Sequence, residues 1–186
     1  MLNILIPHID ESITGFSQNM GLAEHVMESG EDAKKFPAIR VGNGEYNQVE
    51  LEREVSYHRQ NGEIRIDEVS DDQTQGCNKT LQLTYPLIFI GCIKYPKGCD
   101  QYATNTLSAG FAGQLASTQF KKDIRSQIMA ISADLFISSI NTDRNDVWNN
   151  EYEGIEMSAG FEYLYFAISY DIRVKILSTC FNQICT

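Results

Sequence analysis

The chain has 186 residues, a mass of 21.0 kDa and a formal net charge of −10, with 42% hydrophobic and 22% charged residues. That length and apolar content support one domain with a real core and exclude disorder of the whole chain. The acidic balance excludes tight nucleic-acid binding through neutralised phosphates, which needs clustered Lys and Arg, but it suits a surface that DNA slides past without sticking.

Leu2, Leu5, Ile6, Ile9, Ile13 and Phe16 recur at helical spacing, so the chain opens with an amphipathic helix. Pro7 fits a first turn better than a helix interior, which places the regular start near Pro7. Gly21 and the polar stretch from Glu28 to Lys35 then punctuate the chain. Phe36 to Val41 reads as a short extended segment closed by the turn Gly42-Asn43-Gly44. Val55 to Arg59 and Glu63 to Ile66 flank Gln60-Asn61-Gly62, and Asn-Gly supplies the positive φ of a tight hairpin. The acidic stretch from Glu68 to Asn78 reads as a loop.

Leu81, Leu83, Tyr85, Leu87 and Phe89 mark a long strand reaching about Tyr95. Pro86 within it cannot donate to a ladder and needs an edge or a bulge. Tyr95 to Thr118 is turn-rich and predicts a loop with one short helix, the long loop proper covering about 96–118. Phe120, Ile124, Ile128, Ile131 and Leu135 predict a second amphipathic helix from Gln119 to Ile140. Residues 141–160 form a second long, polar loop holding the only tryptophan, Trp148. From Glu162 to Ile176 strict alternation returns: Leu164, Phe166, Ile168, Tyr170, Ile172, Val174 and Ile176 form one face of a long strand. The order predicts an α+β fold, a mostly antiparallel sheet with two main amphipathic helices packed on one face, in one domain spanning 1–186.

Chemistry-bearing patterns are sparse. Cys77, Cys92, Cys99, Cys180 and Cys185 show no C-x-x-C pair, and His8, His25 and His58 are scattered, so no zinc spacing emerges and the thiols read as free in a reducing compartment. The N-terminus lacks a basic region and carries Asp10 and Glu11, unlike a signal peptide, and no apolar run approaches the roughly 18 residues of a membrane span. Gly42 to Tyr46 lacks the Lys-Ser/Thr ending of a phosphate loop and reads as a turn. Acidic clusters at Glu50/Glu52/Glu54, Asp67/Glu68/Asp71/Asp72 and Asp143/Asp146/Glu151/Glu153 fall mostly in loops, where solvated charge is the ordinary reading. No catalytic, metal or cofactor residue is assigned. Arg144, Asp146, Trp148 and Tyr152 are the candidate subunit interface, because Trp, Tyr and Arg anchor interfaces and long loops are usually functional.

Several of these segments together resemble the neck proteins of tailed bacteriophages, the head–tail joining and tail-terminator group. They are the opening helix, Phe36-Pro37-Ala38-Ile39 with Gly44-Glu45-Tyr46, and Tyr85-Pro86-Leu87-Ile88-Phe89. The others are the expected helix around Arg125 to Ile140, the Asp146-Val147-Trp148 to Tyr152 loop and the closing strand from Tyr165 to Val174. The resemblance lies in element order and implies a tail-terminator-like fold and a non-enzymatic virion protein. It also implies a hexameric or dodecameric ring joining portal and head to tail around the DNA channel. Its partners would be portal, connector or tail proteins and passing DNA, with no membrane and no cofactor, and it would assemble in the host cytoplasm. The two long loops exceed what a minimal version of that fold needs. A cellular adaptor using those loops, and a carboxylate- or metal-dependent hydrolase, are the readings from other classes.

Overall fold

The closing run of alternating residues forms one of two strands on which the rest of the molecule is laid. The computed structural model describes residues 1–29, 34–42, 44–49, 53–69, 79–94, 101–143, 147 and 163–177. Among them are helices α1 (Leu2–Ser12), α2 (Gln101–Ala116) and α3 (Lys122–Gln127). The strands are β1 (Gln18–Ser29), β2 (Lys34–Gly42), β3 (Glu45–Gln48), β4 (Val55–Gln60), β5 (Arg65–Val69), β6 (Thr80–Lys94), β7 (Ala130–Asn141) and β8 (Tyr163–Leu177). All eight strands join one sheet in the order β3-β2-β1-β4-β6-β8-β7, with β5 also on β6. Every pairing is antiparallel except β1 with β4. The fold is α+β, as the sequence predicts.

β6 and β8 pair without a register shift from Thr80↔Leu177 to Lys94↔Tyr163. On β8 the even positions from Leu164 to Ile176 are all buried, as alternation requires. The odd positions divide the strand. Tyr165 and Ala167 are also buried, whereas Asp171, Arg173 and Lys175 are only half-buried. One face of the sheet carries the main core. There Leu83, Tyr85, Leu87 and Phe89 of β6 and the even residues of β8 from Phe166 to Ile176 meet Leu5, Ile6 and Ile9 of α1 and Phe111, Ala112 and Leu115 of α2. Each fully buried aliphatic side chain is worth about 1.5–3 kcal/mol, so α1 is held by its apolar stripe. The other face carries a smaller core of Val55, Tyr57, Ile88, Ile90, Cys92, Tyr165 and Ala167, joined by Val49 and Val147. Gly91 stands opposite Phe166, and a Cβ there would lie 2.3 Å from that ring. The missing side chain makes room for stacked Phe111 and Phe166, whose centroids are 5.3 Å apart.

Five expectations change. α1 begins at Leu2 with Pro7 inside it; the N–H that proline lacks would serve only the carbonyl of exposed Asn3, which water can reach. Residues 18–29, whose sequence pattern predicts no regular element, are strand β1, held by the ladders of β2 and β4. Asn61-Gly62 is no hairpin turn, since β4 and β5 do not pair with each other but follow one another along β6. The break falls opposite Pro86, whose carbonyl accepts the Asn61 N–H at 2.8 Å and which has no N–H to return. Proline therefore interrupts the ladder on that side while its other side stays paired with β8.

The stretch expected as a loop with one short helix holds the sixteen-residue α2, with buried Ser108, Phe111, Ala112 and Leu115 at helical spacing. The helix expected over 119–140 is instead short α3 followed by strand β7. Ile131, Ala133, Leu135 and Ile137 satisfy period two as well as the helical template, and the β-branched and aromatic residues favour the strand. Met129, at φ 53°, turns the chain between them.

Candidate functional site

The four sequence-derived interface residues, Arg144, Asp146, Trp148 and Tyr152, lie outside the described residues. Within that segment the structure places Val147, buried in the smaller core with its N–H on the Asp143 carbonyl at 2.9 Å. Of the acidic clusters, Glu54, Asp67, Glu68 and Asp143 are described, and no three His, Cys, Asp or Glu side chains among the described residues form a group able to hold a metal ion. Cys92 is buried in the smaller core.

What the fold does bring together is a polar seam beneath α1. Asp10 on α1, His58 on β4 and Tyr170 on β8 are distant in sequence, yet His58 Nε2 lies 3.0 Å from Asp10 Oδ1 and its Nδ1 lies 2.7 Å from the Tyr170 hydroxyl. His58 and Tyr170 are fully buried, and Asp10 retains slight exposure. A neutral ring satisfies every group: Nε2–H donates to the carboxylate, and the tyrosine O–H donates to Nδ1. The imidazole also packs against Phe89 with centroids 5.1 Å apart. Burial, with the Asp10 charge adding to it, raises the Tyr170 pKa well above its ordinary value, so the hydroxyl stays protonated as a donor.

The seam continues through Asn19 on β1. Its amide donates to the carbonyls of Asp10 (2.9 Å) and Ile13 (3.1 Å), and its oxygen accepts the Ser56 hydroxyl at 2.6 Å. Asn19 thus adds a side-chain donor to the Asp10 carbonyl, which also accepts the Ile13 N–H at 3.2 Å, and to the Ile13 carbonyl just past the helix end. Asp, His and Tyr in series could relay a proton, but Tyr170 is closed to any substrate, and the arrangement locks α1 in register on three strands. In the sequence His58 is one of three scattered histidines. Its only local signal is a histidine on the same strand face as Ser56, which does not name Asp10 or Tyr170.

The second feature is at the surface. Seven large hydrophobic residues among those described are exposed, and four of them, Met129, Ile131, Phe136 and Ile140, lie on or just before β7. β7 is an outer strand of the sheet and, among the described residues, pairs only with β8. It carries one charge, Asp134, with no proline and no lysine, so it lacks most of the devices that blunt open edges. Two register shifts, at 130–132 and 137–139, and Arg125, which donates to the Ile131 carbonyl at 3.1 Å, are its protection. At the other end of the sheet β3 is also open but has only four residues.

No protein-family model matches this chain, and no curated protein matches it significantly. No helix among the described residues is long and apolar enough to cross a membrane.

Proposed function

We propose that this chain is a non-enzymatic structural subunit of a tailed-phage neck, assembling into a ring between portal and tail around the DNA channel. The observation that carries this reading is β7, a twelve-residue open edge bearing exposed Ile131, Phe136 and Ile140. Exposed apolar side chains along an edge strand, unpaired here among the described residues, are what a chain uses to bind another chain. Because the edges left unpaired among the described residues, on β3, β5 and β7, differ in length and sequence, contact between unlike surfaces is favoured over self-matching, and a heterologous contact that closes gives a ring. The net charge of −10 suits a bore that DNA passes without adhering.

Native mass spectrometry tests the proposal, with the protein alone and then mixed with portal, connector or tail proteins encoded beside it. A hexamer or dodecamer in either sample supports a ring. A monomer or dimer in both removes it and favours an adaptor that receives a strand from a different protein on the same edge.

A further inference from the structure

Beside β7 lies a groove of about 330 Å³ whose lining says how that edge is occupied. One wall is five successive residues, Ser132 to Phe136. Neighbouring side chains on a strand point to opposite faces, so a groove touching five in a row runs along the strand's free edge rather than over either face. The opposite wall is the end of α2 and the link to α3, including Ala116 and Phe120, and Arg125 closes it. Its volume is at the lower end of the range for ligand pockets, enough for a few side chains of an extended segment.

Arg125 gives the groove its chemistry. One guanidinium nitrogen holds the Ile131 carbonyl at 3.1 Å, while Nε is buried with no hydrogen-bond partner. Arg125 also makes no salt bridge among the described residues. A buried N–H without a partner is destabilising, and a carboxylate is the acceptor that matches a guanidinium best. The other charge in the lining is Asp134 of β7, which stands across from Arg173 of β8 in the ladder, and exposed Lys121, Lys122 and Asp123 precede Arg125 in the chain. Among the residues lining the groove Arg125 is the cation and Asp134 the anion, and Asp134 leaves the Arg125 Nε–H without an acceptor.

We infer that the occupant of this groove is an extended acidic segment of a second copy of this chain, laid against β7 as an added strand with one carboxylate on Arg125. This rests on the assembly reading above and names the contact by which it is made. The charge argument selects the occupant: a second copy is rich in carboxylates, and the groove offers a guanidinium with an unsatisfied Nε–H, apolar Phe136 and a strand edge unpaired among the described residues. Donor segment and acceptor groove are different parts of the chain, so each copy uses both, and the contact propagates head to tail.

Mass photometry over a concentration series, on wild type, Arg125→Glu and Arg125→Lys, is the test. Assembly by wild type, a midpoint at least tenfold higher for a folded Arg125→Glu, and substantial recovery in Arg125→Lys support the inference. Assembly by wild type and Arg125→Glu alike overturns it and leaves the ring reading standing. A wild type that stays monomeric with its neck partners overturns both. Should Arg125→Glu lose its circular-dichroism signature, competition on the wild-type protein decides. The probes are a capped eight-residue peptide of alternating threonine and valine with one central glutamate, and a twin carrying glutamine. A tenfold advantage for glutamate in blocking assembly supports the groove, and equal potency overturns it.

Discussion

Beneath α1, polar side chains lie in the interior and find partners: Asp10 with His58, His58 with Tyr170, Asn19 with Ser56. Along β7 the situation is inverted, with Met129, Ile131, Phe136 and Ile140 at the surface and the outer side of the strand unpaired among the described residues. The first region is complete within one chain and so speaks to the fold. The second is stable only because two bulges and Arg125 shield part of it, and it speaks to what the chain does with another molecule. A buried polar group without a partner would be the anomaly in the first region, and uncovered apolar area is the anomaly in the second.

The contrast predicts that substitutions in the two regions act on different observables. The largest effect belongs to His58→Ala, which leaves a carboxylate and a buried hydroxyl facing a cavity and should cost about 2–5 kcal/mol of stability. Urea unfolding would show it as a lowered midpoint with an unchanged slope; a loss under about 1 kcal/mol would mean the seam is not what holds α1.

A second break is by pH. The Tyr170 pKa is raised in the folded chain, so its contribution is fully present below the tyrosine's unfolded value near 10 and is lost as pH rises through the higher folded value. Above pH 10 the unfolded chain releases that proton first and becomes favoured. Tyr170→Phe should lower stability by about 1–3 kcal/mol at pH 8 and show a shallower alkaline decline than wild type. Parallel declines in the two proteins would remove Tyr170 as the source.

How much of this was visible in the sequence depends on how local each cause is. β8 was legible almost residue by residue, because strict alternation from Leu164 to Ile176 has one reading. The segment from Phe120 to Leu135 was not, because its apolar residues fit a helix and a strand about equally well until the pairing with β8 decides between them. Asn61-Gly62 carried a genuine hairpin signal that a distant residue, Pro86, turned into a break in a ladder. β1 carries polar residues and a glycine, and its partners on both sides make it a strand. The seam was invisible for the same reason: Asp10, His58 and Tyr170 meet only through the order of the sheet. The proposed interface residues around Trp148 lie outside the described residues, and what the structure adds there is Val147, fixed in the smaller core.

That anchoring sharpens a smaller prediction. Trp148→Ala should leave the unfolding midpoint within about 0.5 kcal/mol of wild type and weaken assembly. Unchanged assembly, or a collapsed monomer, would each count against the loop as an interface.

The most direct measurement is sedimentation velocity of wild type beside the double substitution Ile131→Lys and Phe136→Lys, which changes only exposed positions of β7. If β7 is the assembly edge, wild type sediments as a large closed oligomer and the double variant as a folded monomer of unchanged thermal stability. Identical sedimentation of the two, as oligomers or as monomers, would contradict it.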